Sequence, residues 1–322
     1  MLDTVPVTVE NFTRAESDLF FGHAVADGGF GKLHHIREPM PIEAQTVVRA
    51  NRDTLYSAGV FDLDAGPVSV TLPDARGRFM SLEVFDEDEY VVDVVYDGGR
   101  RSYSRERVGT RYVLIGVRTL VNPADPADVT EVHALQDAIR IEQGAAGLFE
   151  IPSWDPASQK KVRDALISLA GTLPDTRRMF GAKADVDPLR HLIGAATGWG
   201  GNPETDAFYL TVTPPRNDGR TVHTLTAKDV PVDGFWSISV YNADGYFEPN
   251  DRNAYSLNNL TAAKTADGSV TIQFGGCDGT AANCLPITPG WNYWVRLYRP
   301  RAAVLNGTWT FPDPHPVERA AA

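Results

Sequence analysis

The sequence predicts a mainly β chain with a helical insert, and three observations carry the prediction. Apolar and polar residues alternate with period two from about residue 45 and again from about residue 205. Between those segments the apolar period lengthens to three or four residues. Each helical stretch there is announced by Asp-Pro. The organisation that follows is an N-terminal extension (1–44), a β-sandwich domain (45–124) and a helical segment (125–204). A jelly-roll-like β-sandwich (205–312) and a frayed tail (313–322) complete it. With 322 residues, about two domains at ~150 residues each are expected.

The first β segment opens on Val68, Val70 and Leu72 alternating with Ser69 and Thr71. Met80, Leu82 and Val84 then alternate with Ser81 and Glu83. Pro73-Asp74 and Arg76-Gly77-Arg78 supply a turn between these runs, so they are expected to form a hairpin. The unbroken apolar run 112–117 reads as a more buried strand.

In the middle, Val129, Val132, Leu135 and Ile139 share one helix face. So do Val162, Leu166 and Leu169, and then Leu189, Leu192, Ile193 and Ala196. Asp125-Pro126, Asp155-Pro156 and Asp187-Pro188 mark the starts. Asp can cap free N–H groups, and Pro lacks only a donor that would have gone unused. Beyond residue 207, four alternating runs are centred on Leu210, Ile238, Ile272 and Val295. Turn signals at Pro214-Pro215, Asn217-Asp218-Gly219 and Asp267-Gly268 fall among them.

Composition narrows the partners. Thirty basic against 42 acidic side chains give a formal charge of −12, unsuited to nucleic acid or an anionic membrane. No run of 18 apolar residues occurs, so no transmembrane helix is expected. The first residues lack the basic and apolar regions of an export signal. A cytoplasmic chain, and a periplasmic or secreted form already relieved of its signal, are both compatible with this. Cys277 and Cys284, seven apart in a Gly- and Asn-bearing loop, fit a short disulfide and two separate thiols equally well.

No G-x-S-x-G elbow, Walker loop or HExxH motif is present. His34 and His35 are adjacent, so on a strand they point to opposite faces and do not share a metal.

Two stretches are polar where a strand would ordinarily be apolar. In 49–57, an extended chain aims Arg49, Asn51 and Asp53 to one side and Thr54 and Tyr56 to the other. A carboxylate near two guanidinium groups is expected to stay ionised, which suits substrate orientation or metal ligation better than acid catalysis. The alternative is an internal hydrogen-bonded plug. The second stretch, 241–247 with Asn250, Asn253, Tyr255 and Asn258-Asn259, is a loop dense in amides and phenols, able both to donate and to accept. Here the alternative is local turn formation. Glu83, Asp86, Asp88 and Glu89 read as a solvated edge, or more sharply as a divalent-cation site. Arg296, Tyr298 and Trp294 share a strand face as a stacked cation or an anion clamp.

These stretches carry a family resemblance. Asn51-Arg52-Asp53-Thr54-Leu55-Tyr56-Ser57, Phe61-Asp62-Leu63 and Arg78-Phe79-Met80 stand in the first half. Gly234-Phe235-Trp236-Ser237, the 241–247 run, Asn253-Ala254-Tyr255-Ser256 and Arg296-Leu297-Tyr298-Arg299-Pro300 stand in the second. The chain resembles the bacterial two-domain family of paired domains of unknown function 1254 and 1214. That resemblance implies an N-terminal immunoglobulin-like β-sandwich, a helical insert and a C-terminal jelly-roll-like domain. It also implies hydrolysis of carboxyl or phosphate esters, in some members with a divalent metal, and it supplies no catalytic residues to carry over. Cys284 departs from the family, where Trp often precedes Leu-Pro.

The resulting expectation is a small-molecule hydrolase with its site in a cleft between the two β domains. Asp53, Tyr56, Tyr246 and Tyr255 are its candidate catalytic residues, and Arg49, Asn51, Asn253 and Arg296 its candidate substrate-binding residues. A divalent metal is the candidate cofactor, with no ligand set specified. Two further readings use the same residues: a non-catalytic small-ligand-binding protein or homo-oligomer, and a lyase or isomerase with Tyr and Asp as acid and base.

Overall fold

A computed structural model describes residues 4–45 and 48–317. The described residues form sixteen strands in four sheets, with helices concentrated at the N-terminus and in the middle. The mainly β character with a helical insert is therefore as expected. The chain divides into two compact units. The first comprises Met1–Arg37, Leu55–Val121 and Pro126–Glu204; the second comprises Glu38–Thr54, Asn122–Asp125 and Thr205–Ala322.

In the first unit the elements run α1 (Phe12–Ala26), β1 (His34–His35), β2 (Thr54–Asp62), β3 (Val68–Leu72), β4 (Met80–Asp86), β5 (Val91–Val95) and β6 (Gly99–Tyr103). They continue with α2 (Arg105–Val108), β7 (Tyr112–Leu120), α3 (Pro126–Ala138), β8 (Arg140–Glu142), α4 (Pro156–Ala170) and α5 (Pro188–Gly198). All three expected Asp-Pro helices start at their proline. Asp155 accepts from the Ser158 N–H at 2.9 Å, and Asp187 from those of Leu189 and Arg190 at 3.0 and 3.1 Å.

Strands order β1-β2-β7-β4-β5 in one sheet and β6-β3-β8 in the other. The expected β3–β4 hairpin does not form: β3 pairs with β6 and β8, and β4 with β5 and β7. The turn at 73–78 carries the chain between sheets instead. Period two gives the larger sheet two different faces. Leu82, Val84, Val113, Ile115 and Val117 pack against Val68, Val70 and Leu72 of the smaller sheet. The opposite face presents Val60, Phe85 and Leu114 to Phe21 of α1 and to the segment around Trp199. Helices α1, α4 and α5 share a core of Phe12, Ala15, Leu166 and Ile193. Leu169 and Leu189, expected on buried stripes, are half or more exposed.

The second unit holds β9 (Ala207–Val212), β10 (His223–Ala227), β11 (Trp236–Tyr241), β12 (Ser256–Asn258), β13 (Val270–Phe274), β14 (Cys284–Leu285), β15 (Asn292–Tyr298), α6 (Ala302–Leu305) and β16 (His315–Pro316). Its sheets order β12-β11-β15-β9 and β14-β13-β10-β16. Ile238, Val295, Leu297, Ile272, Phe274 and Trp291 fill the space they share. In the tail expected to fray, His315–Pro316 pairs with β10. Residues 318–322 of that expectation lie outside the described residues. Cys277 and Cys284 are joined by a disulfide. Residues 38–54 pack with the second unit and α1 with the first, so neither the expected 1–44 extension nor the 45–124 domain follows the observed division.

Candidate functional site

Seven of the eight candidate site residues belong to the second unit, where residues 49–53 lie against β11, β15 and the loop 242–255. Polar groups from distant parts of the chain do meet there, but at their centre, Arg296 and Asp53, they are sealed from solvent. Arg296 is 3 % exposed. Its Nη1 donates to Ser239 Oγ at 3.0 Å, and its Nη2 donates to the Arg49 and Ala50 carbonyls at 2.7 and 3.3 Å and to the Tyr241 hydroxyl at 2.8 Å. Asp53, 2 % exposed, accepts from Asn258 Nδ2 at 3.1 Å.

Burial pushes the Asp53 carboxyl up, against the pull of Arg296. The two guanidinium groups expected beside it, those of Arg49 and Arg52, are engaged elsewhere. Arg49 instead donates to Asn292 Oδ1 at 2.6 Å and stacks on Trp294 at 5.2 Å. Arg52 lies over Tyr255 at 5.6 Å and donates to the Met40 carbonyl.

Asn51 accepts from the Asp53 N–H at 2.9 Å and donates to Thr54 Oγ1 and Tyr298 OH at 3.2 and 3.1 Å. Asn253 is exposed, with φ of +51°, as a turn residue is. The half-buried Tyr246 gives its N–H to Asn242 Oδ1 at 3.0 Å. Tyr255 is buried against Phe247 and borders a crevice of about 10 Å³, room for one water. This arrangement is the hydrogen-bonded plug.

Tyr56 alone among the candidates belongs to the first unit, and there it lines a pocket of about 290 Å³. Every lining residue belongs to that unit. The pocket lies on the helix-covered face of the larger sheet, and strand register explains its composition. His34 pairs with Ala58, so His34, Tyr56 and Ala58 share a face. On β7 the same face shows Leu114, Gly116 and Arg118; on β4 it shows Glu83, opposite Gly116, and Phe85, opposite Leu114. Helix α1 contributes Phe20 and Ala24, and the end of α5 is followed by Trp199 and Gly200.

Gly116 forms a floor with no side chain. A Cβ built there would meet nothing closer than Leu114 Cδ2 at 3.8 Å and the Glu83 carbonyl at 3.9 Å.

The walls are held rigidly. Trp199 stacks on Phe20 at 4.6 Å and 9°, tilts against Phe85 at 5.5 Å, and donates from Nε1 to Ser17 Oγ at 3.0 Å. Arg118 lies over the Tyr56 ring at 5.6 Å and pairs with the buried Glu83. It also donates to the Gly200 carbonyl at 3.0 Å and Asn202 Oδ1 at 3.3 Å. The Gly200 N–H donates to Glu89 Oε1 at 3.0 Å, so the peptide groups on both sides of this residue are held, at φ +77°, a conformation that favours glycine.

The acidic run read as a solvated edge is mostly interior. Glu83, Asp86 and Glu89 are buried, because the helices cover this end of the sheet. Burial pushes the Glu89 carboxyl well up and that of Asp86 to about 6. Among the described residues no cluster of three His, Cys, Asp or Glu side chains is arranged to hold a metal ion, so the divalent metal implied by the resemblance finds no fitting ligand set there. His35 Nδ1 and Ser57 Oγ lie 2.7 Å apart, yet Ser57 is 1 % exposed and also receives Gln136 Nε2 at 3.3 Å.

Sequence reading missed Gly116, Arg118 and Trp199. Their signals were present: a glycine within the apolar run of β7, and Trp-Gly-Gly directly after a helix.

Comparison with known proteins agrees with the architecture. A protein from Vibrio parahaemolyticus superposes with a TM-score of 0.73 at 18% identity, over 96% of this chain and 98% of that one. An uncharacterised protein from Burkholderia cenocepacia gives 0.54 at 14% identity, over 96% and 87%. Both likenesses show the fold. No curated protein matches. The family model described as protein of unknown function DUF1254 matches residues 30–106, and that of DUF1214 matches residues 213–302. The chain belongs to the two-domain family in which DUF1254 is paired with DUF1214.

Proposed function

We propose that this chain binds a small molecule in the first-unit pocket. The observation that carries the reading is a preformed hollow of about 290 Å³, walled by aromatic rings and floored by a glycine. Ligand sites are typically concave, mainly apolar and largely preformed, with volumes of roughly 300 Å³ upward. Hydrolysis of carboxyl or phosphate esters has weaker support. Of the four candidate catalytic residues only Tyr56 lines this pocket, and the Ser57 hydroxyl is buried.

Native mass spectrometry of freshly purified protein, followed by a small-molecule screen, tests the binding reading. A bound or retained molecule lost in Gly116→Leu is expected. No binding sensitive to that substitution would overturn it. Aryl esters and aryl phosphates, with and without EDTA, are assayed on the same preparations. Turnover abolished by Gly116→Leu would replace the binding reading with hydrolysis in the same pocket.

A further inference from the structure

We infer that the pocket selects an uncharged ligand bearing a planar aromatic ring, and that Gly116 sets the depth to which the ring enters. The inference rests on the pocket-binding reading above and adds the ligand's class.

Ring-bearing side chains dominate the walls: Phe20, Tyr56, Phe85 and Trp199, with the His34 imidazole among the lining groups. They are fixed before any ligand arrives. Trp199 is stacked on Phe20 and tethered through Nε1 to Ser17, and Tyr56 lies beneath the Arg118 guanidinium. Rigid rings lose little freedom on binding, and ring–ring contacts add to simple area burial.

Charge argues for neutrality. The one cation among the strand residues of the pocket, Arg118, is paired with Glu83, whose side chain is 1 % exposed. A ligand carboxylate would have to share that guanidinium with Glu83, whose charge already balances it, and Asp27 adds a negative charge to the lining. Gly116 lines the pocket without a side chain, so a ring edge can approach the β7 backbone there, where any larger side chain would stand.

Three probes of matched size separate the claims: 2-naphthol, 2-naphthoate and the saturated 2-decalinol, titrated calorimetrically at neutral pH. The expected result is that 2-naphthol binds best, with each of the others about tenfold weaker or more. Gly116→Ala, whose methyl group meets only ordinary contacts, is expected to keep 2-naphthol binding, and Gly116→Leu to lose it. Circular dichroism and a cooperative melt certify both variants as folded.

Equal or tighter 2-naphthoate binding overturns the neutrality claim, and equal 2-decalinol binding overturns the aromatic claim. If either occurs while Gly116→Leu still blocks, the pocket reading stands and this inference falls. If no probe binds wild type in a way that Gly116→Leu abolishes, both fall.

Discussion

Arg296 is the residue whose removal most directly tests the second unit's construction. Its guanidinium holds two consecutive carbonyls of the 49–50 segment onto β15, and also holds Ser239 and Tyr241 of β11. Arg296→Met keeps most of the apolar stem and deletes the cation. The Ala50 carbonyl retains the Tyr241 hydroxyl at 2.8 Å, so it stays partnered. The Arg49 carbonyl and Ser239 Oγ each lose a bond, and Asp53 loses the cation that pulls its carboxyl down.

Each stranded buried group costs about 1–3 kcal/mol, with bonds to a charged donor toward the upper end, and Asp53 loses a nearby cation besides. Because these overlap, a loss of about 3–5 kcal/mol is expected, a large share of an ordinary domain's stability. Asp53→Asn should cost less, about 1–2 kcal/mol, since Arg296 keeps its neutral acceptors. The double variant should fall short of the sum.

Urea transitions, read with hydrogen exchange at β11 and β15 amides, measure these losses. Limited trypsinolysis adds a local readout, because release of the segment exposes Arg49 and Arg52. If Arg296→Met costs under about 1 kcal/mol and leaves both sites uncut, the guanidinium does not pin this segment and the plug assignment is wrong.

Two further outcomes follow from other sites. Reducing the Cys277–Cys284 disulfide, which closes an eight-residue loop, should lower stability by about 2.5 kcal/mol on the chain-entropy relation; a titration with dithiothreitol that leaves the urea midpoint of the second unit unmoved refutes this. In the first unit, the raised carboxyl of Glu89 lends stability that is full below its ordinary value of 4.5 and is lost as pH rises through the folded value, with Asp18 and Asp86, both raised to about 6, acting in the same sense from 3.8 upward. Glu89→Gln should therefore slow exchange at the Gly200 amide most at high pH, and an equal effect at pH 4 and pH 8 would count against a buried proton on Glu89.

The strands and the three Asp-Pro helices were legible because their signals are local: alternation, lengthened period, capping carboxylate. Helix α1 was not, since Glu16, Ser17 and Asp18 break its apolar stripe while being buried. Their compensating partners, Arg163, Gln159, Trp199 and Trp154, lie more than 130 residues along the chain. The β3–β4 hairpin failed for a related reason. Alternation shows that a strand has two faces, and says nothing of which strand lies beside it. The same limit hid the sites. Residues 49–53 looked like substrate-binding chemistry because their bonding partners on β11 and β15 could not be seen. The pocket carried no motif, being assembled from scattered positions on α1, β1, β2, β4, β7 and just beyond α5, and defined partly by a side chain that is absent.

Whether that hollow is a binding site or a packing fault can be decided by the sign of one stability change. The hollow of about 290 Å³ is open to solvent, so water wets its apolar wall instead of protein covering it. The surrounding structure nevertheless does not collapse into it, because the Arg118–Glu83 pair, the bonds to both peptide groups flanking Gly200 and the Phe20–Trp199 stack keep its walls apart. Filling the space from within should then be favourable. Gly116→Leu removes a strand glycine, worth about 0.5–1 kcal/mol, and buries an apolar side chain worth about 1.5–3 kcal/mol when fully covered. Allowing for incomplete cover and lost rotamers, a gain of about 1–3 kcal/mol is expected, together with loss of ligand binding. A higher melting temperature with abolished binding is the signature of a cavity kept open at the expense of stability. A lower melting temperature would mean that the wall groups already need the space above Gly116, and the hollow would lose its standing as a preformed site.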